Sequence, residues 1–311
     1  MGRHHVVEST MPCFPVDQRR RQATAKPLPT WLSGCLVAGT FIALLWLERR
    51  QPLRRQVEPK LRHTARNLAI GALGAMAVQL AEAPVVTRVA ALVERRGWGL
   101  LKWLRLPAWL EVSCAIVLMD YTLYVWHILV HRVPWLWRFH AVHHIDLDLD
   151  ASTALRFHFG ELTISLPWRT AQVLLIGTSP RALSVWQTTL LMSTLFHHSN
   201  VTVPIGLERI LNRIIVTPRM HGIHHSSVRE ETDSNWSSGL TVWDWLHGTL
   251  KLNVPQSAIA VGVPAFQQPA EVRLPAMLAA PFREQPDHWT LPGDGEPSRV
   301  PSPLPRELLL P

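Results

Sequence analysis

Residues 120–146 read DYTLYVWHILVHRVPWLWRFHAVHHID. The stretch ends an apolar segment of about residues 108–126 and then delivers five histidines between positions 127 and 144. His127 and His131 stand at i and i+4; His140, His143 and His144 stand at i, i+3 and i+4. On a helix, either spacing puts the rings on one face. Further on, HGIHH repeats the pentad as His221, His224 and His225. Neutral imidazoles aimed at one point suit a metal ion. Eight of them without a partner near a membrane surface would carry a heavy desolvation cost.

The surrounding composition is that of a membrane protein. Of 311 residues, 47% are hydrophobic and only 17% charged, where soluble domains carry roughly a quarter charged. The net charge of +8 raises nucleic acid as a partner, but the basic residues cluster beside apolar segments, as they do at membrane boundaries. No nucleic-acid partner is expected. Three cysteines form no CxxC pair, so they read as buried free thiols rather than disulfides or zinc ligands.

The chain divides into four parts. Residues 1–29 are a basic, disordered N-terminal extension. Residues 30–107 hold N-terminal membrane helices: an uncharged segment 31–47 between basic flanks, then a second segment of about 67–86. Residues 108–253 form the histidine-bearing domain. Residues 254–311 are a Pro-rich tail, poorly ordered from about 264. Between His158 and His198 an apolar region breaks at GTSP (177–180) into two arms, 161–176 and 182–196, either a thin hairpin or a re-entrant pair. Both options return the chain to the side it left, so every histidine cluster gathers at one membrane face. The loop 48–66 is dense in Arg and Lys, which places that face in the cytoplasm. The expected fold is an all-α membrane bundle of about four spanning segments or hairpins, capped by cytosolic-face helices that hold a histidine-rich dimetal site.

The two pentads with His127 and His131 supply eight nitrogens, too many for one ion and suited to two. His158 and His198 bring the set to ten, five per metal with one position open. There is no HExxH motif, and ligand softness leaves iron and copper both open.

The words DYTLYVWHILVHRVPWLWRFHAVHHID, TALRFHFGE, HHSNVTVP, TPRMHGIHH, ETDSNW and LTVWDWLHGT, spread over about residues 115–250, together resemble the fatty acid hydroxylase/sterol desaturase superfamily of integral-membrane di-iron oxygenases. The resemblance implies a catalytic role for the domain 108–253, two Fe ions, O2 as co-substrate, and hydroxylation or desaturation of an unactivated C–H of a lipid. It also implies a separate electron-donor protein of ferredoxin, cytochrome b5 or reductase type. Carboxylates that orient the rings through their other N–H are then expected among Asp120, Asp146, Asp150, Glu161 and Asp244. For DLDLD (146–150) a solvated acidic loop is the equal alternative. Asn235 is a candidate to hold a metal-bound water, with a helix cap as the plainer role. His247 stands where members commonly carry an aromatic residue and reads as a packing variant. Two other classes compete: a membrane metal-transport or metal-binding protein, which would want polar groups partway across the bilayer, and a bis-His haem protein, which leaves the pentads unexplained.

Overall fold

The protein's computed structural model describes residues 24–291, 295–299 and 309. The expectation of an N-terminal extension lies, for residues 1–23, outside the described residues. Among those described the protein is all-helical, with isolated antiparallel bridges but no strand.

Helix α1 (Thr30–Arg50) buries only Leu44 and Glu48. Trp31, Ile42 and Trp46 are 69%, 67% and 56% exposed, an apolar surface suited to lipid. Cys35 is exposed for the same reason, not buried as expected. Helix α2 (Lys60–Ala77) runs through a π turn (Val78–Glu82) into α3 (Ala83–Arg96), which ends on left-handed Gly97. The short α4 (Leu100–Trp103) leads to α5 (Ala108–Arg132), which carries His127 and His131. Helix α5 rises about 38 Å, more than the hydrocarbon core needs. Among the described residues three helical stretches are long and apolar enough to cross a membrane: Thr30–Arg50, Lys60–Trp103 and Ala108–Arg132.

Helix α6 (Pro134–His144) starts on a proline, which suits a first helical position, and ends in the first pentad. Helices α7 (Phe159–Ile164), α8 (Leu166–Ile176) and α9 (Pro180–His198) follow. The chain turns between α8 and α9 at GTSP, where Gly177 is left-handed and Ser179 caps α9 by accepting from Ala182 N. Helix α10 (Ile205–Leu211) precedes α11 (Pro218–His224), which holds most of the second pentad; α12 (Arg229–Thr232) and α13 (Val242–His247) complete the domain.

One end of the bundle collects the C-termini of α1, α5 and α9 and the N-terminus of α2. Glu48 accepts from the backbone N of Ala151 (2.7 Å) and Asn200 (2.8 Å), and Lys60 joins Glu48 to Asp150. At the opposite end Lys102 bridges Glu94 and Glu111. Between them Val86, Ala90, Met119, Val173, Leu183 and Trp186 form an apolar core.

Residues 264–291 are packed, where the proline content predicts a loose tail. Val263, Val272 and Met277 are buried against Ile70, Trp137 and Val142, and α14 (Leu274–Ala279) lies against α2. The prolines end short turns while the apolar residues between them cover the outer side of α6.

Candidate metal centre

The pentads reach the same point from opposite sides. His127, His131, His144 and His224 form one group and His143, His198, His221 and His225 a second; within each, the donor atoms lie within 4.8 Å of one another. Each pentad therefore serves both groups. In the second group Nε2 of His198 stands 3.0 Å from Nε2 of His143 and 2.9 Å from Nε2 of His221, which is 3.1 Å from Nε2 of His225. His198 Nδ1 donates to Thr194 O (2.7 Å), so its Nε2 carries a lone pair. A lone pair on His198 Nε2 with two more ring nitrogens crowded against it suits a cation. An ion bound to imidazole at about 2.0–2.1 Å, with neighbouring ligands at right angles, sets nitrogens about 3 Å apart. The donor set fits a pair of imidazole-ligated ions.

In the first group, His127 Nδ1 donates to Trp236 O (2.7 Å) and His224 Nδ1 to Ser234 O (2.8 Å). These bonds fix the tautomer and turn Nε2 inward. The Nε2 atoms of His131, His144 and His224 are buried without a hydrogen-bond partner. Burial, then the charge of neighbouring rings, holds His143, His144 and His225 well below the usual histidine range and lowers His224 to about 3. The rings are neutral at neutral pH, the form that binds metals.

Two further imidazoles complete the constellation. The His140 ring lies 4.7 Å from that of His131 and 5.1 Å from that of His144. Its Nδ1 is 2.9 Å from Glu161 Oε1, and its Nε2 is buried and unpartnered. The His197 ring lies 4.1 Å from that of His221, with Nδ1 likewise unpartnered. Sequence reasoning passes over His197; adjacency to His198 is the only signal it offers.

His158 does not join either group, contrary to expectation. It caps α7: Nδ1 accepts from Gly160 N (3.0 Å), and Nε2 lies 3.3 Å from Leu278 O. Its nitrogens are spent on starting a helix and anchoring the C-terminal segment.

Of the carboxylates expected to orient rings, Glu161 touches one directly. Asp244 acts through backbone: it accepts from Trp236 N (2.8 Å) and Ser237 N (3.0 Å), next to the carbonyl that holds His127. Asp120 accepts from Leu240 N and Trp243 Nε1, and touches no histidine. Asp146 and Asp150 are neither ring-orienting nor solvated. They are fully buried and face opposite nitrogens of His63, 2.9 Å each. Asp146 also meets Arg66 and Arg156, and Arg156 donates to the carbonyls of Val142 and Ile145 at the end of α6. Glu58, His63 and Asp146 form a third cluster of possible ligands. Arg66 pairs with both oxygens of Glu58 there, so cations are already in place.

Asn235 is neither a water holder nor a cap. At φ +53° it is left-handed, and its side chain donates to Met220 O and Lys251 O and accepts from Lys251 N. It pins the loop whose flanking carbonyls, Ser234 O and Trp236 O, hold His224 and His127. His247 packs on Tyr121 and Tyr124. Gly222 within HGIHH admits the Arg54 guanidinium, which donates to Pro218 O and Gln256 Oε1; any Cβ there would collide with it.

An apolar cavity of about 650 Å³ opens onto His127, His140, His143, His197, His198 and His221. Its walls include Ala72, Ala75 and Val78 of the α2 side, Leu123 and Trp126 of α5, and Leu190 of α9.

Residues 112–249 match the fatty acid hydroxylase family model. The chain is 32% identical to an ornithine lipid hydroxylase of Rhizobium tropici over 158 residues, 50% of this chain and 46% of the relative. It is 32% identical to an alkylglycerol monooxygenase of Homo sapiens over 134 residues, 43% and 29% of the two chains. It is 27% identical to a cholesterol 25-hydroxylase of Mus musculus over 179 residues, 52% and 58%. The match thus spans between 29% and 58% of these relatives. No solved structure gives a significant match.

Proposed function

We propose, from the match of residues 112–249 to the fatty acid hydroxylase family model, that the chain is a membrane-bound di-iron enzyme that hydroxylates an unactivated C–H of a lipid. It would use O2 and electrons from a separate ferredoxin-, cytochrome b5- or reductase-type donor. The observation that carries the reading is the cavity: an apolar chamber of about 650 Å³ that ends on six of the clustered histidines. A path for metal ions would be polar along its length; the walls of this one are mostly Ala, Val, Leu and Trp, with Glu82 and Arg169 as a charged pair among them.

Two irons held by the paired groups would supply the redox chemistry that activates dioxygen. His127, His131, His144 and His224, with His140, would hold one; His143, His198, His221 and His225, with His197, would hold the other. The protein's own contribution is orientation and dryness. Glu161, Ser234 O, Trp236 O and Thr194 O each fix a ring through Nδ1. The apolar walls keep water away and lay an alkyl chain against the histidine end. Hydroxylation is favoured over desaturation because the named relatives are hydroxylases and a monooxygenase. The basic loop at the histidine end, with Arg49, Arg50, Arg54 and Arg55, supports a centre on the cytoplasmic side.

The test is lipid mass spectrometry of cells with and without the chain, paired with iron analysis of purified protein. One added oxygen on a lipid, two irons per chain, and loss of both product and iron in His143→Ala are expected. Full product formation by His143→Ala would reject the site.

A further inference from the structure

We infer that Glu82 and Arg169, at the far end of the lipid cavity, form a binding site for an uncharged hydroxyl or amide of the substrate, and so fix which carbon reaches the histidines. This rests on the cavity being the lipid site. Both residues line it, yet they lie well away from the metal centre. The Arg169 guanidinium sits over Trp186, 4.7 Å from the ring centroid. Trp186 precedes His198 by twelve positions on α9, about 18 Å of helix rise.

A pair that merely tied helices together would close into hydrogen bonds. This pair stays open: Arg169 Nε is 3.6 Å from Glu82 Oε1, beyond hydrogen-bond reach. Arg169 Nε and Nη1 are buried with no hydrogen-bond partner. Burying such donors is costly unless something accepts from them. Glu82 owes its position to the π turn Val78–Glu82. One extra residue in a turn shifts the register of a helix by about 100°, and such turns recur at functional sites.

The charges select the guest. A carboxylate or phosphate is drawn to Arg169 but repelled by Glu82, and a cation meets the reverse. A hydroxyl or primary amide accepts from Arg169 and donates to Glu82, which satisfies both. A lipid held there by its polar end presents a carbon one chain length away to the histidines, roughly fourteen carbon–carbon bonds along.

The experiment is equilibrium binding of 1-hexadecanol, hexadecanamide, hexadecanoate and hexadecane to the purified full chain in nanodiscs. Alcohol and amide are expected to bind at least tenfold more tightly than alkane or carboxylate. Arg169→Leu should bring the alcohol down to the alkane, whereas loss of a purely structural pair would weaken both alike. Glu82→Gln, which keeps the shape, should raise hexadecanoate binding at least tenfold. Equal binding of alcohol and alkane by the unmodified chain overturns the assignment, as does unchanged carboxylate binding in Glu82→Gln. Ala75→Trp, which narrows the cavity midway, separates the two readings. If it leaves every probe bound as before, the cavity is not the lipid site; if it excludes them all, only the selectivity data bear on the pair.

Discussion

Glu161 Oε1 and His140 Nδ1 stand 2.9 Å apart, and that contact turns the free Nε2 of His140 toward the first histidine group. Replacing Glu161 by Gln keeps the shape but removes the charge that fixes the ring. Partners of this kind are worth about 10–100-fold in metal affinity. Iron titration of the Glu161→Gln protein should show a loss in that range at one site, with the other unchanged. Unaltered affinity at both sites would remove His140 from the ligand set.

His197 and His158 make opposite forecasts. His197→Ala should cost the second group its iron, read as a drop from two irons per chain toward one. His158→Ala should keep both irons and instead lower the unfolding temperature, because it strips the cap from α7 and the contact to Leu278 O. A helix cap is worth about 1 kcal/mol. Loss of iron from His158→Ala would reverse the geometric assignment.

Asn235 should behave as a clamp. Asn235→Ala keeps the left-handed backbone, which costs a non-glycine residue about 1–2 kcal/mol, while losing every side-chain bond that offsets it. The loop carrying Ser234 O and Trp236 O then loosens, and His224 and His127 lose their orientation. Iron should leave the first group preferentially, visible as a halved iron content in protein that still resides in the membrane.

The buried ion network gives a pH dependence. Burial alone would raise the Asp146 and Asp150 carboxyls, but Arg156 and His63 around the one, and His63 and Lys60 around the other, outweigh it. Both stay ionised well below the usual carboxylate range. A folded-state value below the unfolded one, about 3.9 for Asp, contributes stability that is complete above that value. It is lost as pH falls toward the folded value. Thermal unfolding of wild type in detergent should therefore weaken below about pH 4. Asp146→Asn should be less stable at pH 7 and show a shallower acid limb. An acid limb of unchanged slope in that variant would place the titrating groups elsewhere.

The pentads announced the centre because helical spacing alone puts His140, His143 and His144 on one face, and no chemistry but metal binding rewards that. Glu161 was legible as an acid near an expected ligand. His197 was not, because i and i+1 point apart on an ideal helix, and only the end of α9 turns both rings to the same group. DLDLD read as an even choice between two roles because its partners, Lys60, His63 and Arg66, lie some eighty residues earlier. Asn235 owes its role to a backbone angle that composition does not encode. The tail misled because proline density masks the apolar residues, Val263, Val272 and Met277, that hold it down.

Each pentad divides its rings between neighbours: His144 and His143 part company at the end of α6, as His224 does from His221 and His225 around α11. The two seats consequently share one pair of short helices, while α5 and α9 supply the rest of the rings, one helix to each group. Loosening either short helix should therefore weaken both seats together, whereas a change to a ring on α5 or α9 should be felt at one of them.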